Sequence, residues 1–408
     1  MNILHINYSD FSGGSAIACS RLHSALLKKN INSWMAVCNS NFKQKNILTF
    51  SNKKNKFEYL LKKNTSRLIL KFFENKNKVD YSISFFNNPI FKEILDLEFD
   101  IINLHWIGNE TLSLKQLSSF KKPKIWTLLD MWPFLGAEHI NYSYKSKSDY
   151  WNNSEILDKQ FFEINKWMLK RKMKYYDSNI KLVSISRWLA NKASESLLFR
   201  DKEIDVIPCT LDFEIWRPLE RTIARKILNI ENKKTILFSS SGGTWNYNKG
   251  FNLLVEALKN FKNLKDIHLV ILGKLKRSDL KNLEISFTEI PKVFFGDVAN
   301  LINIYSSVDL VVIPSLIEAF GQVALEAASC KVPTVAFKNT GVTEIIEHKK
   351  NGYLAEFNNS EDLFNGINWC LEDYNLQLLK NNSREIALKK FSNDLIVKKY
   401  QKIYEDIL

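Results

Sequence analysis

Along the first half of the chain, short apolar runs alternate with segments whose apolar residues recur at helical spacing. This alternation is typical of a parallel sheet with helices packed on its faces. Between the first two runs, Gly14–Asn30 carries apolar residues at near-helical intervals, so we expect a helix there. The predicted strands of this half are Asn2–Asn7, Ser33–Cys38, Asp100–Leu104, Lys124–Leu128 and Lys181–Ser184.

A polar connection interrupts the pattern between Val206 and Pro218, and a second α/β series follows. A chain of 408 residues is too long for one ordinary core, so we expect two domains, 1–207 and 208–390. The predicted fold class is α/β, with two Rossmann-like, doubly wound parallel-sheet domains facing a central cleft. The predicted strands of the second series are Thr235–Ser239, Ile267–Leu272, Val293–Phe295, Asp309–Ile313 and Pro333–Phe337.

Polar and glycine-containing motifs follow several of these strands. Ligands of doubly wound sheets bind outside the carboxyl ends of the strands, so these motifs mark a candidate site. At the first of them, Gly13-Gly14 begins a helix, where free amides and the helix dipole attract a phosphate. The motifs are Gly13-Gly14, His105-Trp106, Asp130, Ser241-Gly242-Gly243 and Ser315–Glu318.

Two glutamates, Glu318 and Glu326, bracket a segment that follows the predicted strand ending at Ile313. We expect a helix to open at about Ala319, with Gly321 allowing a ligand close to the backbone. One carboxylate then lies on the loop and the other about two turns into the helix. Two hydroxyl-accepting carboxylates around a phosphate-binding helix end suit a sugar–diphosphate–ribose ligand. The alternative is a solvated loop glutamate and an ordinary helix glutamate.

The string from Glu318 to Glu326 resembles the EX7E motif of the retaining glycosyltransferases of family 4, whose fold is called GT-B. The strands around it and the segment Thr340–Ile346 continue the resemblance. It is closest to the subgroup that builds capsule, colanic-acid-like and O-antigen polysaccharides, as Asn103–Trp106 and Trp126–Phe134 indicate. The resemblance implies that the last helix, within 391–408, crosses back to the first domain.

The resemblance also implies the role of each residue in binding a nucleotide diphosphate sugar. Glu318 would hold hydroxyls of the transferred sugar, Glu326 would hold the ribose, and Lys249 would lie beside the departing phosphates. Backbone amides at Phe320 and Gly321 would support those phosphates. Gly13, Gly14 and Gly243 complete the expected donor-binding set.

The same resemblance implies transfer with retained configuration, in which the leaving phosphate deprotonates the acceptor hydroxyl. No DxD motif lies in a suitable place, which fits a reaction that needs neither a metal nor a cofactor. We find no convincing Ser/His/Asp or Cys/His arrangement for a nucleophile. Leu129 and Gly243 stand where the family usually has a histidine and often has an arginine. His105 and His139 are candidates to supply the imidazole, although a lone histidine is more often structural.

These two departures keep a second interpretation open, a catalytically inactive GT-B subunit that binds partners in a polysaccharide-assembly complex. A sugar-nucleotide epimerase is a further alternative. On the acceptor side we expect His105, Asp130, Trp132 and His139. The loop 131–151 is rich in aromatic groups, which pack well on sugar rings but equally well on one another.

The chain carries a net charge of +14, which favours phosphates, anionic lipid or nucleic acid as partners. In Lys53–Lys78, apolar residues at helical spacing are surrounded by cations, the layout of an interfacial helix. We expect this segment to contact an anionic membrane if the acceptor is a lipid-linked oligosaccharide. The alternative is a basic surface helix packed on its own domain. No nucleic-acid recognition signature is visible, and no GxGxxG of a dehydrogenase follows either domain's first strand.

The five cysteines are scattered and form no CxxC pair, which indicates a reduced protein without a disulfide frame or a zinc site. No apolar run reaches 18 residues, and Met1–Asn7 lacks the basic start of a signal peptide. The sequence therefore predicts a cytoplasmic protein, peripheral on the inner face of the membrane if the basic segment binds lipid.

Overall fold

The computed structural model describes residues 1–41, 45–73, 79–94, 97–141, 159–231, 233–281, 283–291 and 297–408. The chain divides into two compact units. Unit 1 comprises Met1–Pro208 and Ile396–Leu408, and unit 2 comprises Cys209–Leu395.

Unit 1 is built on a seven-stranded sheet in the order β3-β2-β1-β4-β5-β6-β7, and every neighbouring pair is parallel. Its central strands are almost wholly buried, as expected for a sheet covered on both faces. The strands are β1 (Asn2–Ser9), β2 (Asn32–Asn39), β3 (Ile47–Leu48), β4 (Ile101–Leu104), β5 (Lys124–Leu128), β6 (Lys181–Ser184) and β7 (Ile204–Val206).

The helices of unit 1 connect these strands. The helix that ends the chain adds Ile396, Val397 and Tyr400 to the core, where they meet Ile3 and Leu22. The helices are α1 (Gly14–Lys28), α2 (Lys53–Lys71), α3 (Ile90–Ile94), α4 (Leu114–Ser119), α5 (Lys159–Tyr175) and α6 (Arg187–Ser194), with the terminal helix α13 (Asn393–Asp406).

Unit 2 has a six-stranded parallel sheet in the order β10-β9-β8-β11-β12-β13. The strands are β8 (Lys234–Ser239), β9 (Ile267–Leu272), β10 (Ser286–Ile290), β11 (Leu310–Ile313), β12 (Thr334–Phe337) and β13 (Gly352–Ala355). The helices are α7 (Arg221–Leu228), α8 (Phe251–Leu258), α9 (Val298–Ser307), α10 (Gln322–Ser329), α11 (Ser360–Leu371) and α12 (Asp373–Phe391).

The two parallel Rossmann-like sheets predicted from the sequence are confirmed. Four strands were missed (β3, β7, β10 and β13), and all four are the outermost strands of their sheets. An edge strand has a neighbour on one side only and lacks the continuous apolar run that marks a central strand. The predicted strand Val293–Phe295 lies outside the described residues.

The predicted helix start at Ala319 is wrong by three residues, because α10 begins at Gln322 with Gly321 as its N-cap. Gly321 adopts φ +101°, outside the helical region. The loop before it is held in place, since the N–H of Gly341 donates to the carbonyl of Glu318 at 2.6 Å. Tertiary contacts of the loop therefore keep residues 319–321 out of the helix, which begins at Gln322.

Each sheet reverses its strand order once, between β1 and β4 in unit 1 and between β8 and β11 in unit 2. In doubly wound sheets such a reversal opens a crevice at the carboxyl ends of the two strands, and ligands bind there. The residues that follow these four strands are therefore the place to look for a site.

Candidate active site

In unit 2, a lysine and a glutamate meet at the reversal point. Lys249 ends a short 3-10 turn before α8, and Glu318 lies on the loop after β11. The Nζ of Lys249 lies 3.0 Å from Oε2 of Glu318. The side chains are 28% and 19% exposed, so both remain open to a ligand. The tertiary structure thus joins two residues that the sequence singled out separately.

Asn248 holds the 3-10 turn that carries Lys249 against the loop that carries Glu318. Its side-chain N–H donates to the carbonyl of Ile317 at 2.9 Å, and its Oδ1 accepts from the N–H of Ile317 at 2.9 Å. The backbone carbonyl of Asn248 also accepts from the N–H of Leu316. Asn248 cannot be recognised from the sequence, because no spacing or motif distinguishes an asparagine that binds a remote loop.

Gly250 makes the close approach of these segments possible. Its φ of +66° lies in the left-handed region, and a Cβ there would collide with the carbonyl oxygen of Pro314. Gly243, on the loop after β8, has φ +84°, and a Cβ there would run into the ring of Trp245. An arginine in place of Gly243 would therefore require Trp245 to move.

The amino end of α10 follows Glu318 and Phe320. Phe320 is 2% exposed, and its ring packs edge-on against Phe391 with centroids 5.8 Å apart. This contact anchors the residue before Gly321, whose left-handed backbone begins the helix. The positive end of the helix dipole favours anions at a helix amino end, so this position suits a phosphate.

Glu326 lies deeper, on the buried face of α10. It is 3% exposed, and its Oε2 accepts from the Tyr305 hydroxyl at 2.7 Å. Tyr305 belongs to α9 and is itself 1% exposed. The carboxylate is therefore held in a fixed orientation by a residue that the sequence analysis did not select.

In unit 1, Gly13 and Gly14 lie at the start of α1, on the loop after β1. Gly13 is the N-cap, with φ +92°, and both glycines are exposed. A Cβ added to either residue would meet no atom within 4 Å. The space above these amides is open, as a phosphate-binding turn requires.

Asp130 follows β5 and is the centre of a polar network. Its Oδ2 accepts from the indole N–H of Trp106 at 2.7 Å and lies 2.6 Å from Nδ1 of His139. Its Oδ1 accepts from the backbone N–H of Trp132 at 3.1 Å. The His139 ring stacks on Trp106 and on Trp132, with centroids 4.8 and 6.0 Å apart. Three of the four predicted acceptor-side residues therefore lie together.

Ser82, His139 and Asp130 contact one another in the same sequence of serine, histidine and aspartate as a hydrolase triad. Nε2 of His139 lies 2.8 Å from Oγ of Ser82, and Nδ1 faces Asp130. Ser82 is 3% exposed, however, and its Oγ also accepts from the N–H of Asn109. This buried hydroxyl is already bonded to His139 and to the N–H of Asn109, so the network fixes the His139 ring and does not supply a nucleophile.

The loop after Asp130 is tied to α5 by Lys172, which is fully buried. Its ammonium group donates to the carbonyls of Trp132, Leu135 and Gly136 and lies 3.8 Å from the centre of the Trp132 ring. Burial lowers the pKa of Lys172 well below its ordinary value, while the nearby Asp130 opposes that shift. The rest of the predicted acceptor loop, from 142 to 151, lies outside the described residues.

His105, the fourth predicted acceptor-side residue, lies apart from this network. It is 3% exposed, and its Nε2 lies 2.9 Å from Nδ1 of His5 on β1. Burial lowers the pKa of His105 to about 3, so the ring is neutral. Of the two histidines that could replace the imidazole missing at Leu129, only His139 lies next to Asp130.

The chain is similar to known glycosyltransferases. Residues 220–386 match the family model described as "Glycosyl transferases group 1". The match begins at α7 and ends within α12, so it includes Lys249, Glu318 and Glu326.

Two curated relatives illustrate the likeness. An uncharacterized glycosyltransferase of Methanocaldococcus jannaschii is 33% identical over 235 residues, which is 55% of this chain and 60% of that protein. The lipopolysaccharide 1,2-N-acetylglucosaminetransferase of Salmonella typhimurium is 25% identical over 239 residues, 55% of this chain and 62% of that protein. The chain thus spans less than two thirds of the length of these relatives.

Among solved structures, Anabaena HepE in complex with UDP-glucose superposes over 100% of both chains, with a TM-score of 0.65 and 17% sequence identity. At 17% sequence identity, this structural similarity shows the fold alone. The GT-B fold predicted from the sequence is confirmed, and the chain has the architecture of the GT-B glycosyltransferases.

Proposed function

We propose that this protein is a glycosyltransferase that moves a sugar from a nucleotide diphosphate sugar to a growing bacterial surface glycan. The observation that carries the proposal is the Lys249–Glu318 pair at the reversal point of unit 2, directly before the amino end of α10. One cation, one carboxylate that can accept from sugar hydroxyls, and the amino end of a helix then lie at one place, as binding of a sugar diphosphate requires.

The chemistry follows from where charge develops. As the sugar leaves, negative charge grows on the departing diphosphate, and Lys249 and the amides of α10 stabilise it. Glu318 accepts hydrogen bonds from sugar hydroxyls and thereby positions the anomeric carbon. Glu326, oriented by Tyr305, is assigned to the ribose. We further propose that the leaving phosphate deprotonates the acceptor, that the configuration is retained, and that transfer needs no metal ion.

A UDP-sugar is the first donor to test, because a structure with this fold was solved with UDP-glucose. A lipopolysaccharide sugar transferase among the relatives supports a glycan as the acceptor. We assign acceptor binding to unit 1, at the network around Asp130, and donor binding to unit 2. The turn Gly13-Gly14 of unit 1, above which the space is open, is assigned to a phosphate group.

A lipid-linked acceptor is the finer form of this proposal, and α2 supports it. The helix exposes most of its large apolar residues and buries only Tyr59 and Ser66. The exposed apolar residues are Phe57, Leu60, Leu61, Leu68 and Ile69, with Phe72 directly after the helix. An exposed apolar stripe flanked by lysines is the layout of a helix that lies on an anionic membrane surface.

The same helix reaches the candidate site of unit 1. Nζ of Lys63 lies 2.8 Å from the hydroxyl of Tyr8 on β1, and the Tyr8 ring packs edge-on against Trp106. Trp106 in turn donates to Asp130. A membrane contact through α2 would hold the acceptor network close to the lipid surface. In the described part of the chain, no helix is long and apolar enough to cross a bilayer.

The test is release of free nucleotide from a panel of UDP-, GDP- and ADP-sugars, without an added acceptor. We expect slow release from one donor class, reduced about 10²–10³-fold in Glu318→Gln and in Lys249→Met, because each removes a group that stabilises the transition state. Glu361→Gln, on the exposed start of α11, is the matched control and should retain the activity.

Two results would contradict the proposal. If no donor is hydrolysed by the folded protein but a nucleotide binds, the inactive binding subunit becomes the better interpretation. If Glu318→Gln leaves hydrolysis unchanged, the Lys249–Glu318 pair is not the site of transfer.

A further inference from the structure

Two large aromatic side chains are exposed on the loop that leads to Lys249, and the proposed sugar transfer assigns no role to either. Trp245 is 58% exposed and Tyr247 is 66% exposed. The loop follows β8, one of the two strands between which the strand order of unit 2 reverses. Isolated apolar side chains on a surface need no explanation, but aromatic rings exposed at a ligand crevice are candidates for ligand contact.

The ring of Trp245 lies against the backbone of Gly243. A Cβ at Gly243 would lie 2.6, 2.7 and 2.8 Å from Cη2, Cζ2 and Cζ3 of the indole. Distances so nearly equal to three consecutive ring atoms place this Cβ position over the face of the ring, not at its edge. Gly243 is buried, whereas Trp245 is exposed. The indole therefore covers the glycine and still presents a large part of its own surface to a ligand.

The backbone on both sides of Trp245 is anchored. The N–H of Thr244 donates to the carbonyl of Lys274 at 2.9 Å, and its Oγ1 donates to Asp279 at 2.8 Å. On the other side, Oδ1 of Asn246 accepts from the N–H of Asn248 at 3.1 Å, and Asn248 is bonded to the Glu318 loop. An aromatic ring on an anchored loop loses little conformational freedom when a ligand packs on it.

The position of Trp245 indicates which part of a donor would meet its ring. In a nucleotide sugar the base lies beyond the ribose, and the transferred sugar lies beyond the phosphates at the opposite end. Lys249 and Glu318 are assigned to that sugar–diphosphate end, and Glu326 is assigned to the ribose. Trp245 is carried by the loop of Lys249, so it lies at the sugar–diphosphate end. Phosphates are charged and hydrated, whereas a sugar ring presents C–H groups that an indole can cover.

We propose that Trp245 is a specificity-determining residue of the donor site, whose indole packs on the ring of the transferred sugar. This inference rests on the proposed function and assigns a further residue to the same site. The hydroxyls at the edge of the sugar would bind Glu318, while its C–H groups would be covered by the indole. A donor whose sugar places a hydroxyl against the indole would be disfavoured, because that hydroxyl would lose water without gaining a partner.

The experiment compares nucleoside diphosphates with their sugar conjugates, using isothermal titration calorimetry of the full-length protein. The probes are UDP with UDP-glucose, GDP with GDP-mannose, and ADP with ADP-glucose. For the pair that binds, we expect Trp245→Leu to raise the Kd of the sugar conjugate about tenfold and that of the free diphosphate by less than about twofold. The free diphosphate is the internal reference, because it lacks the sugar and retains every other group.

Two further variants separate contact from fold. Trp245→Phe keeps an aromatic ring and should restore the Kd of the sugar conjugate to within about threefold of the wild-type value. Tyr374→Leu removes an aromatic side chain that is 83% exposed on α12, and it should change neither Kd. Circular dichroism and the unfolding midpoint of each variant show that it is folded, as expected for a change at an exposed ring.

Three results would overturn the inference, and they can be told apart. If Trp245→Leu raises the Kd of diphosphate and conjugate by the same factor, the ring supports the Lys249 loop or contacts the base. If it changes neither Kd, the ring does not touch the donor, and the proposed function is unaffected. If the folded wild-type protein binds none of the six compounds, the proposed function itself fails and this inference fails with it.

Discussion

At the scale of single residues, the buried carboxylate of Asp309 connects several elements of unit 2. It is fully buried directly before β11, and the side chains of three cations contact it. Arg221 and Arg225 approach within 2.5 and 2.9 Å, and Lys380 within 3.1 Å. The N–H of Thr235 also donates to it at 2.9 Å. The carboxylate therefore ties α7, α12 and two central strands of unit 2 together.

We expect Asp309→Asn to reduce the free energy of unfolding by about 3–5 kcal/mol, because it leaves the buried Arg225 and the partly buried Lys380 without their counter-charge. Urea unfolding followed by circular dichroism measures the effect. The matched control is Asp373→Asn, which removes an exposed pair with Lys234 and should cost less than about 1 kcal/mol. Equal losses in the two variants would show that the cations around Asp309 are stabilised by other contacts.

At the scale of elements, α2 is the part of unit 1 whose surface departs from that of an ordinary helix. Its inner side is fixed by polar contacts, with Ser66 donating to Glu110 at 2.8 Å and Tyr59 donating to the carbonyl of Asn109 at 2.9 Å. Its outer side carries the apolar stripe. The helix is thus the reverse of a typical amphipathic surface helix, which places its apolar face on the core.

We expect α2 to bind vesicles that contain anionic lipid. Replacing Leu61, Leu68 and Phe72 with serine should weaken sedimentation with such vesicles by more than tenfold, since burial of each side chain contributes about 1.5–3 kcal/mol. Neutralising the exposed Lys53, Lys54 and Lys56 should weaken it further at low salt. Leu378→Ser with Leu388→Ser, exposed leucines of α12, is the control. Binding that persists in the α2 variants would assign the membrane contact elsewhere.

At the scale of the whole molecule, the two units have separate cores, so unfolding need not be two-state. The residues assigned to the donor lie mainly in unit 2, including Lys249, Glu318 and Glu326. A donor nucleotide should therefore stabilise this unit more than the other. The terminal helix α13 belongs chiefly to unit 1, where its Tyr404 hydroxyl accepts from Asn103 at 2.9 Å.

We expect the matching nucleoside diphosphate, at about a hundred times its Kd, to add roughly 2.7 kcal/mol to the stability of the donor-binding unit. For a unit of this size the midpoint should rise by about 5–10 °C. Differential scanning calorimetry against UDP, GDP and ADP measures it. Glu326→Gln, which retains an acceptor for Tyr305, should reduce the rise, because the ribose contact is weakened. A rise that is the same for all three bases and unchanged in Glu326→Gln would contradict the assignment of the ribose to Glu326.

The sequence by itself determined the central strands, the division into two α/β series and the glycines and glutamates at strand ends. It could do so because central strands of a parallel sheet are continuous apolar runs, and because the bends after them require glycine. The edge strands carried no such run and were missed. The helix start at Gln322 also escaped prediction, because it depends on contacts between the Glu318 loop and Gly341.

Only the tertiary structure decided which polar residues meet. Nothing in the spacing of positions 82, 130 and 139 indicates that Ser82, Asp130 and His139 form one network, or that Asn248 clamps the Glu318 loop. The local pattern of apolar and polar residues specifies helices and strands, because these elements form between residues that are close in the chain. A site is assembled by contacts between residues that are far apart in the chain.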